Sequence, residues 1–286
     1  MSGRKRIQAS ARAGFLALAA SCLLVSCASL ARSELGDPFG PIGPGGALYA
    51  FVPVDGNRVL LDLVANGFAN PDDAKSVLAR TETAYLGLFI DRERGPGLRL
   101  LAVGRYPRSI SRALFPASRG WIRHETDGTP WYADGEGRRA VSFPRSRLAI
   151  VAPSADLPGM IGRLSGGDAL LPPGFKSRAE GTANASATIG ICAPDGALVA
   201  RFILGEGMSL PVDYLEAYLA PVDSGSRYEI IVRAVCPDAK SARAVFSLAR
   251  VAGREGRLEG SSVVVGPVEA SAEALADFLL ARYFSK

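Results

Sequence analysis

The sequence predicts an α+β fold built as two similar halves, each an open sheet with helices packed on one face. Three observations carry this. An apolar, partly β-branched run ending at a proline-containing turn recurs six times; a helical pattern follows most of these turns; and the six units form two sets of three around a Gly/Pro/Ala/Ser-rich stretch.

The runs span Leu48 to Pro53, Leu98 to Pro107, Arg147 to Pro153, Thr188 to Pro194, Tyr228 to Pro237 and Ser262 to Pro267. Apolar runs of this length bounded by turn residues read as strands, and proline fits the first turn of a helix because its missing N–H is not needed there. Two of the following helices have a clear apolar face, one with Ala242, Val245, Phe246 and Ala249 and the other with Ala272, Leu275, Phe278 and Leu279. Each is expected to pack across a sheet. LYAFVP pairs with TIGICAP, LLAVGRYPRSISRALF with IIVRAVCPDAKSARAVF, and LAIVAPSADLPGMIGRL with VVVGPVEASAEALADFL. A duplication of ferredoxin-like order would explain the pairing, and the recurrence of a common local idiom would also produce it.

These boundaries give a first half at 47–165, a linker at 166–187 and a second half at 188–286. The first half carries an insertion at 119–144 that the second lacks. Asp127-Gly128 and Gly135 punctuate aromatic and β-prone runs there, which predicts a small three-stranded meander.

The whole chain has a net charge of +5. Arg4, Lys5, Arg6 and Arg12 all lie before residue 27 in a stretch without acids, so removing them leaves 29 basic against 28 acidic side chains. A mature body this close to neutral lacks the concentrated basic surface that nucleic acid requires. Residues 80–147 hold 13 Arg, no Lys and seven acids. Shared on one face, these guanidiniums could meet anionic headgroups; scatter over a solvated surface is the ordinary outcome.

The N-terminus has Arg4-Lys5-Arg6, then an apolar or small stretch over residues 13–26, then a cysteine. This is the order of a secretory signal, and an apolar run of about 14 residues is short of the roughly 20 that a permanent membrane helix needs. Leu24-Val25-Ser26-Cys27 resembles the lipobox of bacterial lipoproteins. That resemblance implies lipidation of Cys27, removal of residues 1–26 and a protein held by acyl chains outside the cytoplasm, on the periplasmic face, outer membrane or cell surface. It covers residues 1–27 and assigns no family to the rest. An ordinary signal cut near Ala28 or Ala31 is the alternative, with Cys22 a weaker lipidation candidate. Residues 27–46 then read as a lipidated cysteine and a tether, because five Gly and three Pro crowd positions 36–46 without helical or strand period.

Outside the cytoplasm the remaining thiols, Cys192 and Cys236, are candidates for a disulfide, with two buried thiols as the alternative. Enzyme signatures are sparse: His124 is the sole histidine, no serine sits in a G-x-S-x-G setting, and there is no P-loop or dinucleotide fingerprint. The sequence predicts no enzyme, metal or cofactor. Trp121, His124, Trp131 and Tyr132 concentrate on the meander beside Asp127, Asp134 and Glu136. They are either a ligand platform for a sugar or peptide, or a staple fixing the meander to the sheet. The expected function is non-enzymatic binding or scaffolding at a membrane with another envelope protein as partner; a ligand-binding cleft between the halves, for a small molecule, lipid or glycan, is the alternative.

Overall fold

The computed structural model describes residues 37–67, 71–91, 95–106, 115–181, 187–198 and 210–283. The signal segment, Cys27 and the first part of the expected tether lie outside the described residues, as does Asn184 of a glycosylation-like sequon.

The chain is α+β, and among the described residues its strands form one sheet rather than two. They are β1 (Leu48–Pro53), β2 (Thr81–Asp91), β3 (Gly95–Gly104), β4 (Ile122–Thr126), β5 (Thr129–Ala133), β6 (Ala140–Arg145), β7 (Leu148–Ala152), β8 (Ile189–Ala193), β9 (Tyr214–Val222), β10 (Arg227–Val235), β11 (Gly256–Glu259) and β12 (Ser262–Ser271). Their order is β11-β12-β10-β9-β8-β1-β2-β3-β7-β6-β5-β4. Every pairing is antiparallel, including the junction in which Tyr49 faces Cys192 and Phe51 faces Gly190. A ferredoxin-like order interleaves its strands so that sequence neighbours are separated. Here β1, β2 and β3 are laid side by side as a meander, and that expectation is corrected.

One sheet face is covered by α1 (Arg58–Asn66), α5 (Ala239–Val251) and α6 (Ala272–Tyr283). Leu60 of α1 and Ala272 and Ala276 of α6 pack with Ile189, Leu219 and Tyr228, while Ala242 and Val245 of α5 pack with Ala234 and Val263. The two latter helices begin where their sequence says they should. Asp238 accepts from the Ser241 N–H at 2.7 Å, and Ser271 Oγ accepts from the Ala274 N–H at 3.1 Å, each satisfying a donor that the first turn leaves free. A short helix α2 (Pro71–Leu78) follows α1 and packs against it.

The opposite face is covered by α3 (Leu157–Gly162), α4 (Pro173–Gly181) and residues 37–46. The last of these corrects the tether. Phe39 and Ile42 are 0% exposed, and the segment is a strap built into the core rather than a free linker. The 166–187 linker is corrected as well, since α4 occupies its centre and buries Phe175 and Ala179 completely.

Candidate functional site

The strap is held by three kinds of contact. Its Phe39 ring meets Tyr49 and Tyr85 edge-on, with centroids 5.9 and 5.4 Å away, and lies 5.6 Å from Phe175. The Tyr49 hydroxyl, pushed above its ordinary pKa by burial, donates to the Gly43 carbonyl at 2.7 Å and accepts from the Gly46 N–H at 2.8 Å. Two guanidiniums grip the backbone: Arg163 donates to the Pro41 carbonyl at 3.2 Å and Arg99 to the Ile42 carbonyl at 3.0 Å. Arg99 also lies over the Phe89 ring and pairs with Asp156 at 3.2 Å.

Close approach selects the glycines. A Cβ on Gly87 would meet Ile42 Cγ2 at 2.5 Å, and one on Gly40 would meet the Gly167 carbonyl oxygen at 2.2 Å. At the strap's outer end, Lys176 bridges Asp37, 3.0 Å away, and Asp168. Burial acts to lower the Lys176 pKa, but the hydrogen bonds to Asp168 and Asp37 outweigh it and raise it; the same lysine holds the Asp168 carboxyl below its usual range. Asp168 also accepts from the Leu170 N–H, fixing a loop on which Leu170 has a positive φ of 56° and is 73% exposed.

The four aromatic candidates on the meander are not brought into one platform. Adjacent residues on a strand point to opposite faces, and the β4–β5 register sets His124 against Trp131 but Arg123 against Tyr132. Trp131 is 7% exposed, its indole N–H donates to Thr126 Oγ1 at 3.0 Å, and the exposed His124 ring stacks on it at 4.2 Å. On the other face Tyr132 is buried and stacks on Phe115, which Trp121 meets edge-on at 4.7 Å. The His124–Trp131 stack joins β4 to β5, and Phe115 gathers Trp121, Tyr132 and Phe143 of β6 on the other side.

Cys192 and Cys236 are both free and buried, the alternative to a disulfide. Cys192 shares the strap face with Tyr49, whereas Cys236 packs with Ala242 and Val263 on the helical face, so the sheet lies between them. Burial, with the nearby Glu216 adding to it, pushes the Cys192 thiol up to about 12. Among the described arginines of residues 80–147, several are engaged in ion pairs: Arg99 with Asp156, Arg123 with Glu125, Arg138 with Glu136, Arg139 with Asp134, and Arg105 and Arg147 both with Glu82. Among the described residues, no three His, Cys, Asp or Glu side chains converge as a metal site, and no helix is long and apolar enough to cross a membrane.

The strap was missed because its signal is small. Phe39 and Ile42 are the only large apolar residues in a run dominated by Gly and Pro, a composition that looks like linker unless those two side chains are taken as anchors.

An extracytoplasmic chain with this sheet and a buried strap behind a lipobox-like leader is a membrane-anchored lipoprotein of the cell envelope. The comparisons make the class specific. The family described as outer membrane-associated lipoprotein TP0453 matches residues 33–276, and the chain belongs to that family, which overturns the absence of any recognised family for the body. It is similar to outer membrane protein TP0453 of Treponema pallidum (strain Nichols), with 27% identity over 259 residues and 87% of each chain covered. Its fold is similar to crystal form III of TP0453, with a TM-score of 0.71, 26% identity, and 86% of this chain and 98% of that chain covered. Crystal form IV gives a TM-score of 0.69 at 25% identity, covering 85% of this chain and 96% of the other.

Proposed function

We propose that Cys27 carries the lipid and that the body is a non-enzymatic binding or scaffolding component held close to the bilayer, with another envelope protein as its partner. The strap is the observation that carries this reading. Because the chain enters the core at Asp37, with Phe39 already fully buried, only residues 28–36 separate the anchor from the body. Nine residues reach at most about 30 Å when extended. On this reading the short spacer, rather than a long leash, sets how far the body can stand from the bilayer.

The reading without nucleic acid rests on the near-neutral charge of residues 27–286 and on the ion pairs that Arg99, Arg123, Arg139 and Arg147 make with carboxylates. The cleft alternative is disfavoured, because β1 and β8 are hydrogen-bonded across the junction of the halves. We also read the body as a duplication. The orders β1-β2-β3-β7 and β8-β9-β10-β12 run outward from that junction in parallel sequence, and they support it together with the paired motifs.

Membrane fractionation of wild type and Cys27→Ala, with mass spectrometry of the mature N-terminus, tests the anchor. The expected result is an acylated Cys27 in wild type and release of the variant to the soluble fraction. An unmodified N-terminus, or a variant that stays with the membrane, overturns the reading.

A further inference from the structure

We propose that β4 is a self-association edge, through which two copies of the chain pair antiparallel about a twofold axis at His124. The strand is the outermost of its half of the sheet, five residues long, with all but Thr126 exposed. An outermost strand has one row of backbone donors and acceptors that its own sheet does not use. Which residues supply that row follows from the hairpin. Asp127 and Gly128 both have positive φ, 49° and 72°, forming a two-residue turn between the paired Thr126 and Thr129. Alternation from that turn gives the backbone groups of Ile122, His124 and Thr126 to β5 and aims those of Arg123 and Glu125 outward.

The side chains then select one register. In a symmetric antiparallel pair the outward residues must oppose one another. Centring on Arg123 sets two guanidiniums face to face, and centring on Glu125 sets two carboxylates face to face. Centring on His124 sets each Arg123 against the other copy's Glu125, with Ile122 against Thr126. Opposite charges directly across a strand pair stabilise it and like charges destabilise it, so only this register is favourable on both sides. Arg123 and Glu125 are available for the exchange: they are 48% and 55% exposed and now pair with each other at 3.2 Å. Four main-chain hydrogen bonds would join the copies, the usual source of affinity in strand addition.

The symmetry also suits an anchored protein. A twofold relating antiparallel neighbours stands perpendicular to the sheet, so the strap faces of both copies look the same way and both anchors, on the reading proposed above, reach one membrane. Confinement to that surface raises the effective concentration of the copies. The other outer strand, β11, is a poorer candidate because it is only four residues long.

The test uses the full chain expressed with its leader and isolated in its membranes, and the mature chain for sedimentation. At the twofold the His124 positions form a non-hydrogen-bonded pair with Cα atoms about 4.5 Å apart, inside the range a disulfide spans. His124→Cys should give a disulfide-linked dimer in membranes, while Ile122→Cys, which faces Thr126 of the other copy, should not. By sedimentation, Arg123→Glu and Glu125→Arg should each weaken self-association on the order of tenfold. The double exchange should restore it, and Arg257→Glu on β11 should leave it unchanged. Equal cross-linking of the two cysteine variants, no cross-link from His124→Cys, or singles that associate like wild type would overturn the proposal. Because loss of the lipid in Cys27→Ala would leave the sedimentation series intact, failure of the anchor and failure of the edge are distinguishable.

Discussion

The strap and the meander were both read from runs rich in turn residues, and they ended in opposite positions. The meander, 119–144, shows its structure locally: Asp127-Gly128 supplies the positive φ pair that a tight hairpin needs, and its rings pack on strands next to it. The strap, 37–46, has no period at all, yet it supplies two fully buried side chains to the centre of the sheet. Local conformation is legible where the turn chemistry is also the structural determinant. Burial set by residues far apart in the chain, such as Gly87, Arg99 and Arg163, is not.

If the strap is part of the core, shortening its side chains should damage the whole sheet. Phe39→Ala removes a ring enclosed by Tyr49, Tyr85 and Phe175 and is expected to cost about 4 kcal/mol. Urea unfolding should show a lower midpoint with the same slope. A loss below about 1 kcal/mol would return the segment to the status of a tether. The meander analogue is Trp131→Ala, expected to cost about 3 kcal/mol because the indole is buried but lies on a peripheral strand with its His124 side open. Hydrogen exchange should locate that loss in β4 to β6, sparing β1 and β8; a uniform loss would show that the meander is no separable addition.

Much of the architecture was legible. The six strand-proline runs overlap β1, β3, β7, β8, β10 and β12, and the two best helical patterns became α5 and α6. What local pattern does not carry is partner identity. Alternation shows that β1 and β8 are strands, but nothing local says that they hydrogen-bond to each other and merge two expected sheets into one. The aromatic candidates do not share one face for a related reason: Trp131 and Tyr132 are neighbours in sequence, and β geometry sends neighbours to opposite faces. The sequence left a bridge and two buried thiols equally open, because which side of the sheet each cysteine takes is set by strand pairing rather than by local pattern.

The crossing of the strap over the 163–168 loop gives a smaller effect. Gly40→Ala places a methyl 2.2 Å from the Gly167 carbonyl oxygen, a backbone atom that cannot swing aside, and is expected to cost about 2 kcal/mol. Gly128→Ala, in the meander turn, has open space around it but keeps a φ of 72°, and its cost of about 1 kcal/mol comes from conformation alone. Measured by the same unfolding experiment, equal costs would mean that the strap relaxes away from the loop.

The smallest expected effect is the pH dependence of the strap's outer lock. Asp168 has its folded pKa depressed by Lys176, so its contribution is present above its unfolded value, about 3.9, and is lost as pH falls through the folded value. Lys176 has its folded pKa raised by its two carboxylate partners despite burial, so its contribution is present below its unfolded value, about 10.4, and is lost as pH rises through the folded value. The lock is therefore complete from about pH 5 to pH 9 and weakens outside that window. Asp168 is 59% exposed, and solvent screening limits the pair to about 1 kcal/mol or less. The difference in unfolding midpoint between wild type and Lys176→Met should be flat across the window and shrink toward either end. A difference that persists unchanged to pH 3 would mean that the lysine stem holds the strap by packing, and that the ion pairs contribute little to keeping Asp37 against the body.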